Sequence, residues 1–577
     1  MSKCKIAGMV ALMAALAGGP SFASRVTILH TNDTHSHIDD GVVPFSVIAA
    51  EKARRQAAGE NVMLVDAGDY VQGTALGGYD AGQSVIDIMN RTGYDAATLG
   101  NHEFDYGMPQ LLNNAARAAF KMVCCNLVHR AAPDSLPVRV FPSYTVVTSG
   151  TARVAFVGVS TPQTLVSSRP TTFLDKSGTW REYDFLAGDD AQALYGAVQS
   201  AVDEAASQAD AVVVLGHLGM SPDCGRYMSS EVIAHTTNFV ALIDGHSHSE
   251  YTGTRVKNAA GEEVILTQSG CYLGILGFLT LEDGKVVSAG TLYPRAAPDP
   301  AVAQMEEALS SAVERQLGVR VAVAPQTICS FLPGTTVRLA RSEDCGAGDF
   351  AADAIWWYAN EQAKIPCDFA VINGGNVRDD IPSGKVTLKT MRSVQPFGGD
   401  LCVVEVTGRQ VLDALEFGAQ TAGEGEFGGF LQVGGLKYTI DTAIASTIKT
   451  DVTGTWTAGP ETGVYRVKDV QVYDRARGVF VPFDPDATYR VAGSAFTLLE
   501  GGDGFGMFKG AKGVEKNMVM DYLALVAYAN AFGKNADDVE SLESHLSPLA
   551  ALKGYLLAYE KPRGSGRITL VGGDADE

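Results

Sequence analysis

The stretch DAATLGNHEFDYG, residues 95–107, decides how the first half of the chain is interpreted. A short apolar run is followed at once by four polar residues, Asn101, His102, Glu103 and Asp105. Short apolar runs of this kind are typical of buried strands. Ligands of open α/β sheets gather beyond the carboxyl ends of the strands. The stretch therefore predicts a strand end that carries part of a binding site.

Four further segments repeat this arrangement of an apolar run followed by His or Asp. They are RVTILHTNDTHSH (25–37), NVMLVDAGD (61–69), DAVVVLGHLG (210–219) and VALIDGHSH (240–248). A single His after a strand is more often a structural, hydrogen-bonded residue than a ligand. Five such ends together predict one shared cleft in an α/β domain. The candidate ligands are Asp33, His35, Asp66, Asp69, Asn101, His102, Asp105, His217, His246 and His248.

This mixture of imidazole, carboxylate and amide groups suits zinc, manganese, cobalt or iron better than calcium, which prefers oxygen alone. The ligands are too many for one tetrahedral ion with an open position. Two divalent ions that share a carboxylate would use them. Such a pair holds the attacking and leaving oxygens of a phosphoryl displacement and lowers the pKa of bound water. The segments therefore predict a two-metal site of a kind suited to phosphoryl displacement and leave the identity of the metals open.

The N-terminal residues 1–23 differ in kind from the rest of the chain. Lys3 and Lys5 precede an apolar run, and Ser21-Phe22-Ala23 supplies a small-x-small cleavage pattern. This pattern predicts a secretory signal peptide, with a short N-terminal helix as the alternative. We expect a secreted protein, most simply periplasmic, without a membrane anchor.

Length and charge limit the domain count and the partners. A chain of 577 residues exceeds what one hydrophobic core serves, so two or three domains are expected. The formal net charge of −21 argues against nucleic-acid polymers as partners. Small anionic substrates remain compatible, because metal ions dominate the local charge of a site. The oligomeric state is left open.

Eight cysteines follow the signal segment, and an even number in an exported protein permits disulfides. The preferred pair is Cys329 with Cys345, since both lie in a loop-rich stretch. Cys402 lies in the strand-like LCVVEV and is expected to be a buried thiol.

The chain divides into three further segments. Residues 24–296 alternate β-rich runs with helical patterns, as an α/β domain does. Residues 297–334 contain a helical repeat of apolar residues, which predicts a helix that bridges two domains. The alternative is a surface helix of the first domain. Residues 335–570 are expected to form a second, smaller α/β unit with glycine-rich loops.

Ten sequence blocks carry a family resemblance. ILHTNDTHSH, DAGD, GNHEFDYG, GHLG and DGHSH resemble the calcineurin-like metallophosphoesterase domain. RSEDCGAGDFAADA, NGGNVRDDIPSG, QPFGGDLCVVEVTG, FLQVGG and GGDGF resemble the C-terminal domain of the 5′-nucleotidase family. The resemblance covers nearly all of residues 24–570. It implies a four-layer α/β/β/α first domain and a second domain that sets nucleotide specificity.

The resemblance implies a role for each candidate residue of the first domain. One metal would be held by Asp33, His35 and His248, the other by Asn101, His217 and His246, with Asp69 bridging both. His102 would stabilise the phosphoryl charge, oriented by Asp105, while a metal-bound hydroxide attacks. Asp66, His30 and His37 are expected to be structural, and Glu103 a solvated neighbour.

In the second domain, the resemblance implies that Arg341 and Arg378 grip phosphate, ribose or carboxylate-like oxygens; Arg338 lies three residues before Arg341. Asn373 and Asp503 would contact the nucleoside, and Phe397 and Phe496 would stack on the base. Three departures affect this half: Gly399, followed by Asp400, stands after Pro-Phe-Gly where Asn is common, Gly434 replaces a serine, and Phe496 precedes Asp503 by seven residues where six are expected.

The expected activity is a 5′-nucleotidase that releases phosphate from a small nucleotide. The alternatives at the same site are UDP-sugar hydrolysis and 2′,3′-cyclic-nucleotide phosphodiesterase activity. A catalytically silent nucleotide-binding protein is disfavoured by the intact ligand set, and a sulfur-oxidation hydrolase by the aromatic and arginine blocks. The resemblance also implies rotation of the domains about the bridging helix, with closure bringing Phe397 toward His102.

Overall fold

The computed structural model describes residues 25–188 and 190–572. The predicted signal peptide, residues 1–23, lies outside the described residues. Within the described ranges, every helix is too short or too polar to span a lipid bilayer.

The first half of the chain forms an α/β domain that is followed by a long helix. The strands are β1 (Arg25–Thr31), β2 (Val62–Asp66), β3 (Ala96–Ala97), β4 (Lys121–Met122), β5 (Leu127–His129), β6 (Val138–Arg139), β7 (Tyr144–Ser149), β8 (Ala152–Ser160), β9 (Tyr183–Phe185), β10 (Ala211–His217), β11 (Ala241–Ile243), β12 (Glu250–Lys257), β13 (Glu263–Ser269), β14 (Leu276–Glu282) and β15 (Lys285–Leu292). The helices are α1 (Phe45–Ala57), α2 (Gln83–Thr92), α3 (Met108–Arg117), α4 (Thr164–Ser167), α5 (Gln192–Ala206), α6 (Ser229–Ala234) and α7 (Pro300–Leu317).

Two six-stranded sheets face each other in this half, in the orders β15-β14-β1-β2-β3-β4 and β12-β13-β11-β10-β8-β7. Apolar side chains such as Ile28, Val65, Phe156 and Leu215 fill the space between them. Helices α1, α2, α3 and α7 cover the outer face of the first sheet, and α5 and α6 cover that of the second. The expected four-layer α/β/β/α architecture is confirmed.

The parallel strands determine where the site lies. In the first sheet β1, β2 and β3 run parallel, with Thr31 beside Asp66 and Asp66 beside Ala97. In the second sheet β8, β10 and β11 run parallel, with His217 beside Ser160. The carboxyl ends of parallel strands lie at one edge of a sheet, so the polar segments that follow these strands lie close together at that edge.

Helix α7 begins at a proline and is capped by Asp299, whose side chain accepts from the amides of Ala301 and Val302. Val302 and Val313 are buried in the core of the first domain, where the helix contacts α1 and α2. The same helix also contacts α9 of the second domain, residues 388–394. The boundaries at residues 296, 334 and 570 remain predictions.

The second half of the chain forms another α/β domain. The strands are β16 (Arg320–Ala324), β17 (Phe369–Asn373), β18 (Gly384–Thr387), β19 (Asp400–Thr407), β20 (Leu431–Gly434), β21 (Leu436–Asp441), β22 (Lys449–Thr450), β23 (Trp456–Ala458), β24 (Val467–Asp474), β25 (Val479–Pro482), β26 (Thr488–Ser494), β27 (Lys512–Met520) and β28 (Ile568–Val571). The helices are α8 (Gly346–Trp357), α9 (Leu388–Val394), α10 (Gly408–Gly418), α11 (Ala495–Leu498) and α12 (Asp521–Ala529).

A five-stranded sheet, β20-β17-β26-β19-β27, separates two cores in this domain. Ala370 and Ile372 of β17 face the core shared with α8 and α12, whereas Phe369 and Val371 face the core shared with α10. This alternation is the two-residue period of a strand buried on both faces. A four-stranded sheet, β25-β24-β21-β28, packs beside α10.

The cysteines correct one prediction. All eight in the described residues are free thiols, so the predicted Cys329–Cys345 disulfide is wrong. Cys345 instead caps α8, where its sulfur accepts from the Gly348 amide. The Cys329 thiol faces the carbonyl of Thr327. The expectation of a buried thiol at Cys402 is confirmed.

A buried ion pair ties the residue before the last strand to α8. Arg567 donates to both carboxylate oxygens of Asp353 at 2.8 and 2.6 Å, and both side chains are fully buried. We expect Arg567→Ala to lower the free energy of unfolding of the second domain by about 3–5 kcal/mol, because it leaves a buried carboxylate without its charged partner. Urea unfolding measures this change.

The control is Arg563→Ala, which removes an exposed pair with Glu343 and should cost less than about 1 kcal/mol. Equal losses in the two variants would contradict a dominant role of the buried pair.

Candidate active site

The segments that follow β1, β2, β3, β10 and β11 meet at the edge where the two sheets end. Their side chains form overlapping groups whose ligand atoms lie within 4.8 Å of one another. The groups are Asp33, His35 and His248; His35, Asp69 and His102; and Asp69, His217 and His246. The structure thus brings together residues that are up to 215 positions apart, from Asp33 to His248 (248 − 33).

The first of these groups is tightly spaced around His35. Its Nε2 atom lies 3.0 Å from Nε2 of His248, 3.9 Å from Oδ1 of Asp33 and 3.6 Å from Oδ2 of Asp69. Asp69 therefore borders this group, although it belongs to the other two.

The group at the opposite end centres on His217 and Asp69, whose Nε2 and Oδ2 atoms are 3.2 Å apart. Asn101 joins it, because its Oδ1 atom lies 2.9 Å from Nδ1 of His246. All seven predicted ligands consequently lie in one cluster.

The hydrogen bonds of two histidines indicate what the cluster holds. Nδ1 of His35 lies 2.8 Å from the carbonyl of Gln72, and Nδ1 of His217 lies 2.8 Å from the carbonyl of Ala67. A carbonyl only accepts, so both Nδ1 atoms donate, and in the neutral ring each Nε2 carries a lone pair. Nε2 of His217 is buried without a hydrogen bond although a carboxylate oxygen lies beside it. Lone pairs that converge in this way fit a divalent cation.

The pKa of His217 reports the same electrostatics. Burial lowers this pKa, but the carboxylates of Asp69 and Asp33 outweigh burial and raise it to about 10. The same carboxylates that favour a proton on His217 would also favour a metal cation, which takes the place of that proton when it binds. The ligand atoms around His217 therefore suit a metal ion.

Several of the candidate ligands have strained backbone conformations. The φ angles are 48° at Asp33, 46° at His35, 61° at Asp69, 77° at His246 and 56° at His248. Residues other than glycine rarely adopt the left-handed region, and such strain persists at functional sites where surrounding contacts impose it.

Gly100 permits the close approach of two segments. A Cβ atom at this position would lie 2.1 Å from Oδ1 of Asp69. Any side chain there would displace the carboxylate around which the cluster is arranged.

His102 lies at the edge of the cluster and pairs with Asp105. Its Nδ1 is 2.6 Å from Oδ2 of Asp105, and its backbone amide donates to Oδ1 of Asp69 at 2.8 Å. Burial lowers the pKa of His102, but the charges of Asp105 and Asp69 outweigh it and raise the pKa overall. A protonated His102 is suited to bind an anionic group.

Glu103 corrects a prediction. The expectation of a solvated side chain is wrong, since only 2% of Glu103 is exposed. Its carboxylate accepts from the amides of Asp69, Tyr70 and Gly100 at 2.6–2.8 Å. The short helical turn His102–Phe104 directs Glu103 inward, so that it holds the loop of Asp69 against Gly100.

Asp66 has the structural role that was expected. Thr31 donates to its Oδ2 at 2.6 Å and the Gly68 amide donates to its Oδ1 at 2.7 Å. These bonds join β1 and β2 just below the cluster.

A cavity of about 280 Å³ opens from the cluster toward the second domain. Its walls carry every predicted substrate-binding residue, together with His102 and Asp105 of the first domain. The predicted residues that line it are Arg341, Asn373, Arg378, Phe397, Phe496 and Asp503. The ring of Phe397 lies 5.7 Å from that of His102, so the two domains meet at the site.

The arginines of this cavity carry more charge than their partners neutralise. Arg338 pairs with Glu426, whose role the sequence did not indicate. Nε of Arg341 and Nη2 of Arg378 are buried and have no hydrogen-bond partner among the described residues. Burial and the charges of the other two arginines lower the pKa of Arg341 to about 9. Donors and charge of this kind suit a phosphate group.

The end of the cavity that Asn373, Phe496 and Asp503 line is built from short contacts. Asn373 donates to Asp503 at 2.7 Å, and Asp503 has a φ of 49°. The ring of Phe496 packs on Gly502, where a Cβ would lie 2.2 Å from it. The glycine before Asp503 is therefore needed for the aromatic ring to lie against the loop.

Gln72 is a site residue that the sequence did not reveal. Its carbonyl orients His35, and its side-chain amide is buried in the cavity wall without a hydrogen-bond partner among the described residues. The sequence signal that could have revealed Gln72 is its position three residues after the candidate ligand Asp69.

Comparisons with known proteins agree with the two halves of the fold. Residues 26–250 match the calcineurin-like phosphoesterase family, and residues 320–510 match the 5′-nucleotidase, C-terminal domain, family. The chain is 26% identical over 559 residues to a snake venom 5′-nucleotidase of Naja atra, covering 88% of this chain and 96% of the relative. It is 27% identical over 536 residues to a 5′-nucleotidase of Bos taurus, covering 85% of each.

Among solved structures, the 5′-nucleotidase precursor from Thermus thermophilus superposes with a TM-score of 0.74. It is 26% identical, and the match covers 95% of this chain and 99% of that one. The expected family resemblance and the order of the two domains are confirmed.

The inward position of Glu103 generates a prediction. We expect Glu103→Gln to weaken binding of divalent metal by about 10- to 100-fold, because residues that orient metal ligands typically contribute that much. Calorimetric titration of the apoprotein with manganese or zinc measures the affinity. Glu262→Gln, on an exposed turn, is the control and should bind as the parent does. Equal affinities in all three proteins would contradict the role of Glu103.

Proposed function

The chain belongs to the 5′-nucleotidase family, with a metallophosphoesterase domain followed by a 5′-nucleotidase C-terminal domain, and from this premise we propose that it releases phosphate from 5′-nucleotides. The observation that carries the proposal is the single cavity lined by the ligand cluster of one domain and by the arginines and aromatics of the other.

In this proposal, Asp33, His35 and His248 would hold one divalent ion, and Asn101, His217 and His246 would hold a second, with Asp69 contributing to both. Two ions held there supply Lewis acidity to a phosphoryl transfer. Zinc, manganese, cobalt and iron all suit the donors.

His102 and Asp105 form the proposed catalytic pair. The bond to Asp105 fixes the ring so that Nε2 of His102 is free to face the phosphoryl oxygens. The positive charge on His102 then stabilises the negative charge of the transition state. Asp105 keeps the imidazole oriented and charged.

The second domain supplies the proposed substrate contacts. Arg341 and Arg378 bind the phosphate, and the nucleoside lies beyond them. Asn373 and Asp503 contact the ribose, and Phe397 and Phe496 stack on the base, an interaction that tolerates different bases. The proposal includes closure of the domains over the nucleotide, supported by the contact of Phe397 with His102.

Hydrolysis of UDP-sugars is a second candidate, favoured by a second cavity of about 670 Å³. This cavity shares His246, His248, Arg338, Arg341 and Arg378 with the first one and extends away from the nucleoside end. It offers room for a group attached beyond the phosphate.

Export is also part of the proposal, because residues 1–23 have the pattern of a signal peptide. Periplasmic action would supply nucleosides for uptake.

The activity is tested with purified protein and AMP, UMP, ATP, UDP-glucose and a 2′,3′-cyclic nucleotide. We expect phosphate release from AMP and UMP, its loss in EDTA, and its return when manganese, cobalt or zinc is added, since the charge of the site depends on the metal. Binding of nucleotide without turnover in all metals would contradict the proposal. Faster cleavage of UDP-glucose than of UMP would favour the second candidate.

The His102 role predicts a specific kinetic change. We expect His102→Ala to lower kcat on the order of 100- to 10,000-fold, as removal of a general acid–base or charge-stabilising group does. Metal content, measured by atomic absorption, should remain that of the parent protein.

His129→Ala is the control, because His129 pairs with Glu182 on a small sheet outside the cavity. An unchanged kcat in His102→Ala would refute the assignment.

A further inference from the structure

We propose that Ser168 is a positioning residue for the His102–Asp105 pair, and that an ion pair between Arg169 and Glu500 couples this pair to nucleoside binding in the second domain. The inference rests on the proposed function. It concerns residues that neither the sequence motifs nor the assigned roles include.

Ser168 holds the second oxygen of Asp105. Its hydroxyl donates to Oδ1 at 2.7 Å, while Oδ2 accepts from His102 at 2.6 Å. Ser168 is only 1% exposed and caps the end of α4, where its amide donates to the carbonyl of Thr164 in the first position of that helix. A carboxylate held at both oxygens has one orientation, and so does the imidazole bound to it.

Arg169, the next residue, reaches across the cleft. Its Nη2 lies 3.2 Å from Oε1 of Glu500, its Nε lies 3.4 Å from Oε2, and Thr171 donates to Oε2 at 3.2 Å. The first domain thus gives three donors to one carboxylate of the second domain.

Glu500 lies between the residues proposed to bind the nucleoside. Phe496 is four residues before it and Asp503 is three residues after it. Helix α4 also packs against the turn Gly502–Gly504, which contains Asp503. The segment that holds Asp105 therefore touches the loop that holds the nucleoside.

The exposure of the Arg169–Glu500 ion pair favours a role in coupling nucleoside binding to the catalytic pair over a role as a permanent link between the domains. About half of the Arg169 side chain is exposed, and ion pairs of such exposure contribute little by themselves. The pair joins the two domains, and a nucleoside bound between Phe496 and Asp503 would hold in place the loop that presents Glu500. Since Ser168 and Arg169 are adjacent in the chain, ordering Arg169 also restrains Ser168 and, through it, Asp105 and His102.

The first experiment measures Ser168→Ala with AMP and with p-nitrophenyl phosphate, which lacks a nucleoside. We expect kcat to fall about 10-fold for both substrates, with KM within about twofold, because the hydroxyl orients the catalytic pair and does not touch substrate. Ser168→Thr keeps the hydroxyl and should recover most of kcat.

Ser541→Ala is the matched control, since Ser541 is a buried serine that donates to a carboxylate, Glu543, outside the cleft. Its kcat should equal that of the parent. Melting temperature and metal content are measured for each variant, so that a folding defect is recognised. An unchanged kcat in correctly folded Ser168→Ala would overturn the positioning role.

The second experiment tests the coupling with Arg169→Met. We expect kcat for AMP to fall about 5-fold and kcat for p-nitrophenyl phosphate to stay within about twofold, because only the nucleotide uses the loop around Glu500. In the Ser168→Ala background, Arg169→Met should cause no further fall in kcat for AMP, since Arg169 acts through the Ser168–Asp105 hydrogen bond, which that background already lacks. Additive losses, or equal losses for both substrates, would overturn the coupling.

Asp39→Asn is the control for this experiment. Asp39 pairs with Lys389 at 2.7 Å, so the variant removes a different ion pair between the domains without touching the nucleoside loop. The ratio of the two kcat values should not change. If the parent protein cleaves p-nitrophenyl phosphate but no nucleotide, the proposed function fails while the Ser168 experiment still gives a result.

Discussion

The carboxylate of Asp69 is the point on which the site depends. It lies 3.2 Å from the Nε2 atom of His217 and 3.6 Å from that of His35, and it accepts the backbone amide of His102. A negative group among buried nitrogen lone pairs is stable when a cation lies between them. The left-handed backbone of Asp69, the missing side chain at Gly100 and the inward carboxylate of Glu103 all serve to keep this group in place.

Where the first domain has a buried negative charge that needs a cation, the second domain has an excess of positive charge at the cavity. Three arginines lie near one cavity with Glu426 as the paired carboxylate, and buried donor atoms of Arg341 and Arg378 are left without partners among the residues that the structure describes. Such excess positive charge is stabilised by an anion. One cavity therefore joins a site that needs cations to a site that needs an anion, which is the arrangement a metal-dependent phosphohydrolase uses.

The sequence allowed much of this to be predicted, because strand ends are local patterns. Apolar runs followed by Asp33, Asp69, Asn101, His217 and His246 identify both the strands and the groups that leave them. Glu103 and the Cys329–Cys345 pair were predicted wrongly for a common reason. Whether a carboxylate is solvated, or two thiols are close, depends on which segments fold over them. Glu103 is buried by the loop of Asp69, some thirty residues earlier in the chain.

The amino-acid sequence by itself determined the α/β class and the candidate ligand residues, since these follow from periodicity and from residue type, and its family resemblance determined the order of the two domains. Only the tertiary structure decided which side chains approach the carboxylate oxygens of Asp69 and which arginines lack a partner among the described residues. It also decided that Ser168 donates to Asp105 and that the next residue, Arg169, pairs with Glu500 of the other domain. These contacts join residues more than sixty or three hundred positions apart, as their numbering shows. Distances of that kind are set by packing of the sheets and domains, which no local pattern encodes.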